Sequence, residues 1–188
     1  MDPRIAKTRA RLQEALFDLA RERGIDDVTV TDIVQRAAVN RATFYLHYSD
    51  KETLLADALD GVAERAGARI DDIDIDSDEP PAPLTEFLIH ADGHAALYRR
   101  VFTEPGYSVA LGRLQARIGE AIERHIDAVE KDTPLGVPVP FLVAAVSGSI
   151  LGMIAVWLGQ SPRATPAEAA NWIWLIARPP PARRGPQS

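Results

Sequence analysis

With 188 residues, no cysteine and a formal net charge of −6, the chain has length for one full core plus a small appended module and can form neither a disulfide nor a cysteine-based zinc site. Met1 to Leu12 is charged and amphipathic, without the apolar run of a secretory signal, which favours a cytoplasmic protein. Residues 1–55 hold nine Lys/Arg and nine Asp/Glu, so the deficit lies wholly in 56–188 and the acidic total does not exclude nucleic acid as a partner.

The first predicted helix runs from about Pro3 to Arg23 and stops at Gly24, a residue favoured just past a helix end. Ile5, Leu12, Leu16 and Leu19 form its apolar stripe. Arg4, Lys7 and Arg11 share another face, readable as a solvated face or, beside a DNA-reading element, as contacts to backbone phosphates. Thr29 and Asp32 make a Thr-x-x-Asp capping pair, so a second helix starts at Val30 with Ile33, Val34 and Ala37 inward. Ala38-Val39 turns the corner, Val39 filling the gap between helices. Asn40 then caps a third helix, which displays Arg41, Ala42, Thr43, Tyr45 and His47 and keeps Phe44 for the core. Tyr48 is also expected to be buried. Ser49 and Glu52 repeat the capping pattern, launching a connecting helix from Asp50 to about Ile70 through Leu54, Leu55 and Leu59. A short helix bearing Arg, Thr, Tyr and His just after a helix and tight turn is what a DNA-reading helix-turn-helix needs.

The run from Val28 to Ile33, followed by Ala37 through Leu55, resembles the DNA-binding domain of the TetR family of bacterial repressors over about the first 60 residues. Capping, core and phosphate-facing positions agree together. Ala38 is a departure, since the family often has Gly at that corner; a positive φ there would strain an Ala modestly. The expected phosphate contacts are Arg4, Lys7, Arg11, Thr29, Thr31, Tyr45, His47 and Lys51. Arg41 is expected to meet a guanine edge, and Ala42 and Thr43 a thymine methyl.

Asp71 to Pro83 breaks the helical pattern. Asp72, Asp74 and Asp76 alternate like the start of a calcium loop, but Ser77 and Pro83 stand where Gly and Glu are required, which leaves a solvated acidic loop. Further on, Leu84, Phe87, Leu88, Ala91, Ala95, Tyr98, Val101 and Phe102 trace one helical face, with Gly93 a possible break and Pro105-Gly106 the end. Leu111, Leu114, Ile118, Ile122, Ile126 and Val129 trace a longer helix. Pro134, Pro138 and Pro140 connect to an apolar run from Phe141 to Leu158, and a last helix carries Trp172 and Trp174 to Ala177. The chain thus divides into a DNA-binding domain (1–50), a connecting helix and acidic loop (51–79), an effector-binding and dimerisation domain (80–178) and a disordered tail (179–188), all-α throughout.

The apolar run from Val139 to Leu158 is long enough to span a bilayer. Its few flanking cations and its place after a soluble module favour instead a helix buried by its own domain and by a second copy. The resemblance implies the same, since the family's last two helices usually pair with their mates in a four-helix bundle. Ala144, Gly148, Gly152, Trp157 and Trp172 are the expected dimer contacts. The resemblance also implies a small organic effector that releases a near-palindromic double-stranded operator. Phe87, His94, Tyr98, Phe102, Tyr107, Leu114, Ile118 and Phe141 are the candidate pocket. His90 and His94 stand at zinc-binding spacing, but two ligands do not make a metal site, so no metal or other cofactor is expected. His125, on an apolar stripe, reads as a hydrogen-bonded core histidine before a ligand contact. No catalytic constellation is recognisable.

Overall fold

The computed structural model describes residues 3–67, 77–129 and 137–177, and every regular element among them is helical. The acidic run Asp71–Asp76, the tail at 179–188, the far end of the connecting helix at Ile70 and the side chain of His125 lie outside the described residues.

Helix α1 spans Pro3–Arg23. Gly24 ends it at φ +85°, its N–H donating to the Ala20 carbonyl at 3.0 Å; that left-handed conformation suits a residue without a Cβ. Ile5 leaves the expected stripe and is 41% exposed, while Leu12, Leu16 and Leu19 are buried. Helix α2 (Val30–Arg36) carries the reciprocal capping box of Thr29 and Asp32. Asn40 caps α3 (Arg41–His47) by accepting from the Thr43 N–H. At the start of α4 (Lys51–Gly67) the cap shifts by one residue from the expected Ser49. Asp50 Oδ1 accepts from the Thr53 N–H at 2.6 Å, and its carboxylate, held below its usual range by the Thr53 hydroxyl and N–H, also complements the helix dipole.

Ala38 adopts φ +50°, the conformation that makes a Cβ costly. Ala38→Gly is accordingly expected to stabilise the protein by about 1 kcal/mol, read as an increase of several degrees in Tm. The corner tolerates the strain because Val39 N–H donates to Val34 O and Arg11 Nη2 donates to Ala38 O at 3.3 Å.

The second half comprises α5 (Ala82–Gly93), α6 (Ala95–Thr103), α7 (Ser108–Val129), α8 (Val139–Gly159) and α9 (Pro166–Ala177). The break at Gly93 is real: His94 (φ −124°, ψ 30°) ends α5 and begins α6. Thr165 and Glu168 form a capping box at α9, with Pro166 in the first turn. One continuous core joins the halves, from Leu12, Leu16, Ile33, Phe44 and Leu54 to Leu88, Tyr98, Leu114, Ile154 and Ile173. Each such buried side chain contributes roughly 1.5–3 kcal/mol, which is what holds a seven-residue α3 that would not persist alone.

Candidate nucleic-acid interface and the surfaces that govern it

Phe44, with no exposed surface, pins α3 to the core and turns the opposite face outward. Arg41 and Ala42 are exposed on that face and Tyr45 is half-exposed. Arg41 Nη2 donates to Tyr45 Oη at 3.3 Å, and its guanidinium lies 5.7 Å from that ring centroid. The fork is thereby held along the outer face of α3. Thr43 donates its hydroxyl to Asn40 Oδ1 at 2.8 Å, so the group left to meet a base is its methyl. Leu46, 82% exposed beside them, was not singled out from the sequence; nothing in a 3.6-residue period distinguishes an outward leucine from an inward one over so short a helix.

The proposed phosphate-facing groups divide in two. Lys7, Arg4 and Thr31 are exposed, while His47 is half-buried at the end of α3. Thr29, Arg11 and Lys51 make side-chain bonds that hold the head together. Thr29 donates its hydroxyl to Asp32, which the Arg23 guanidinium and Thr29 hydroxyl together hold well below the usual carboxylate range. Arg11 secures the Ala38 carbonyl. Lys51 Nζ donates to the Ile25 carbonyl at 2.7 Å and the Val28 carbonyl at 3.0 Å, closing the loop between α1 and α2 and leaving one ammonium hydrogen for any phosphate. Lys51→Ala therefore removes a structural clamp as well as a cation.

Behind α3 lies a polar network that the sequence did not disclose. Asp57 on α4 accepts from Tyr48 Oη at 2.6 Å, from Gln13 Nε2 at 2.7 Å and from both Arg9 Nε and Nη2. Burial works against the Asp57 charge, yet the bonds from Tyr48, Arg9 and Gln13 keep its carboxyl below the ordinary range. Tyr48, desolvated and facing that carboxylate, is pushed up to about 12. The network ties α1, the end of α3 and α4 together, so it sets the angle at which α3 is presented.

A second set of ties links the first domain to α6. Arg100 pairs with Asp26 in the α1–α2 loop and with Glu104 at 2.8 Å. Phe17 of α1 packs 5.0 Å from the rings of both His90 and His94. Of the proposed pocket residues, Phe87, Tyr98 and Leu114 are buried, and His94, Phe102, Tyr107 and Ile118 are half-buried against the same core. Phe141 does not join them. It is 71% exposed, because the start of α8 turns it toward solvent.

Phe141 instead begins a stripe along α8 that continues through Ala144, Ala145, Gly148, Gly152 and Val156, all exposed. On α9, Trp172, Leu175 and Ile176 are 50%, 65% and 64% exposed. Gly152, Met153, Val156, Trp172, Ile173 and Ile176 line an open groove between the two helices. Trp157 is removed from the expected dimer contacts: it is 3% exposed, donates Nε1 to Ala164 O at 2.8 Å and lies under Arg163. Its indole is consumed by its own subunit. Among the described residues α8 is the one helix long and apolar enough to cross a membrane, and only 33% of its apolar window is buried within the chain. An apolar surface of this extent requires a cover.

A capped short helix after a tight turn on a trihelical head, joined through α4 to a helical second domain, is the arrangement of the helix-turn-helix class. The family described as "Bacterial regulatory proteins, tetR family" matches residues 12–58, the segment that holds most of α1 and all of α2 and α3. Over 56 residues the chain is 43% identical to the HTH-type transcriptional regulator YxbF of Bacillus subtilis, a match spanning 29% of this chain and 15% of that protein. The whole fold is similar to that of a TetR-family regulator from Syntrophomonas wolfei, with a TM-score of 0.66 at 20% identity over 92% of this chain and 93% of that one. It is similar also to Thermus thermophilus FadR, a TetR-family repressor solved with lauroyl-CoA (TM-score 0.54, 21% identity, 96% and 100% covered).

Proposed function

We propose that the protein is a dimeric transcriptional regulator that reads a near-palindromic operator through α3 and is released from it by a small organic effector, acting as a repressor on cytoplasmic DNA. The observation that carries the reading is the outward face of α3, where Arg41 and Ala42 are exposed beside a half-buried Thr43 on a helix fixed at both ends. Arg41 supplies a fork for guanine, and the Ala42 and Thr43 methyl groups suit a thymine methyl. Exposed Lys7, Arg4 and Thr31 supply backbone contacts, so affinity falls steeply with salt. The chemistry is binding rather than catalysis.

Arg41→Ala is expected to cost about 2 kcal/mol of operator affinity and to relax preference at one base pair per half-site, measured by titrating single-substituted duplexes. Equal losses on operator and scrambled DNA would move Arg41 to the phosphate contacts. The effector enters a mostly apolar site walled by Phe87, Tyr98 and Leu114, with Phe102, Tyr107, Ile118 and His94 beside them. FadR's acyl ligand is consistent with an apolar effector. Binding must favour the arrangement that does not fit DNA, so any true effector binds less tightly when operator is present. Thermal-shift hits titrated with and without operator test this; equal affinity in both would leave the switch without a cause.

A further inference from the structure

Five rings meet where α1 packs against α5 and α6. The His90 and His94 centroids are 4.7 Å apart, each 5.0 Å from Phe17. Tyr98 stands edge-on to His90 and to Phe87, 5.8 Å from each. His90 Nε2, His94 Nδ1 and Tyr98 Oη are all buried there without a hydrogen-bond partner, and Tyr98 has no exposed surface. Native cores rarely leave three such atoms together. Aliphatic side chains would fill the space without that penalty, so the imidazoles are poorly explained by packing.

We propose that this seam is a proton-operated joint: neutral imidazoles close α1 onto α5 and α6, and protonation of the pair opens it, freeing the DNA-binding head from the fixed spacing an operator demands. The last step rests on the DNA-binding reading; the joint itself does not. Two charged rings at this separation repel each other, and the buried acceptor beside them, the neutral Tyr98 hydroxyl, carries no charge to compensate. The groups that face the pair add to the effect. Arg21 of α1 and Arg65 of α4 disfavour a positive imidazole, Asp18 of α1 favours one, and Tyr98 of α6 stays neutral because burial pushes its hydroxyl up.

The sign follows from linkage. Burial, His94 and Arg65 hold His90 at about 4, below the ordinary 6.5, and burial with Arg21 lowers His94 as well. The closed joint therefore binds fewer protons than the open one. Opening is favoured as pH falls below 6.5 and the effect saturates below about 4. From His90 alone the open-to-closed ratio rises about tenfold between pH 7.5 and 5.5. His47 is among the proposed phosphate contacts, so it is replaced in the operator measurement and the seam alone is read.

The test begins with the full chain free of DNA. Amide exchange in α1, corrected for intrinsic rate, is expected to speed about tenfold from pH 7.5 to 5.5. The double variant His90→Phe/His94→Phe is expected to abolish that change. Histidine ring resonances of the wild type provide a reading that needs no variant: two should titrate below 6.5, His90 the lower. Operator affinity is then measured in a His47→Gln background, where it is expected to weaken about tenfold at pH 5.5, and to become insensitive to pH once both imidazoles are Phe. Ordinary titration midpoints, or pH-independent exchange in α1, would overturn the joint. A joint that titrates while operator affinity stays constant would overturn its regulatory role. Absence of DNA binding at every pH would instead count against the DNA-binding reading and leave the exchange result to decide the joint.

Discussion

Gly152→Leu is expected to convert the protein from a dimer to a monomer while leaving the subunit fold intact. A Cβ built on Gly148 or Gly152 meets no atom within 4 Å of its own chain, so an added side chain is tolerated by the subunit and felt only by a partner. In a packed helix pair the same leucine forces the backbones apart. Sedimentation at micromolar concentration should show the change of mass, with helicity by circular dichroism unchanged. Operator affinity should fall by about 100-fold or more, because each half-site would have to bind unaided. A variant that stays dimeric would remove α8 from the interface. Solubility that depends on detergent would give the exposed stripe to a lipid surface instead.

Asp57→Ala is expected to destabilise the protein by about 2–3 kcal/mol, somewhat less than the loss for a fully buried pair because Arg9 keeps partial contact with water. The deletion leaves Tyr48 Oη and Gln13 without their acceptor at the joint between α1, α3 and α4. Since the folded carboxyl lies below its ordinary value, its contribution is present above about 3.8 and is lost as pH falls through the folded value. The wild type and Asp57→Ala should therefore converge in stability toward acid pH, measured by urea unfolding at a series of pH values. A constant difference down to pH 2.5 would mean that the network's charge contributes nothing.

Much of this was legible because local chemistry decided it. Thr29-x-x-Asp32, Asn40 and Gly24 each satisfy or end a helix by themselves, and Ala38 stood out only as a departure from the glycine usual at that corner in the family it resembles. The apolar period found α7, and the continuous apolar run after Pro140 and the stop at Pro179 placed α8 and α9 within a few residues. What escaped depended on distance in sequence. Arg9 and Asp57 are far apart along the chain, and neither residue's neighbours betray that they meet. Lys51 reads as a surface cation until the fold places two carbonyls against it. Trp157 and Phe141 exchanged roles for a related reason: α8 is apolar on all sides, so its periodicity does not say which face meets the subunit's own core. The pairing of His90 with His94 was visible as spacing, but its burial against Phe17 was not.

In the proposed mode of binding, two copies of α3 read one near-palindromic duplex. Selection of random double-stranded DNA by the wild-type protein at about 0.15 M salt tests it most directly, run beside Arg41→Ala. The expected result is enrichment of one inverted-repeat sequence bound by two subunits, with the preference at one base pair in each half lost in the variant. A pool that remains random, or one enriched identically by wild type and variant, would contradict it.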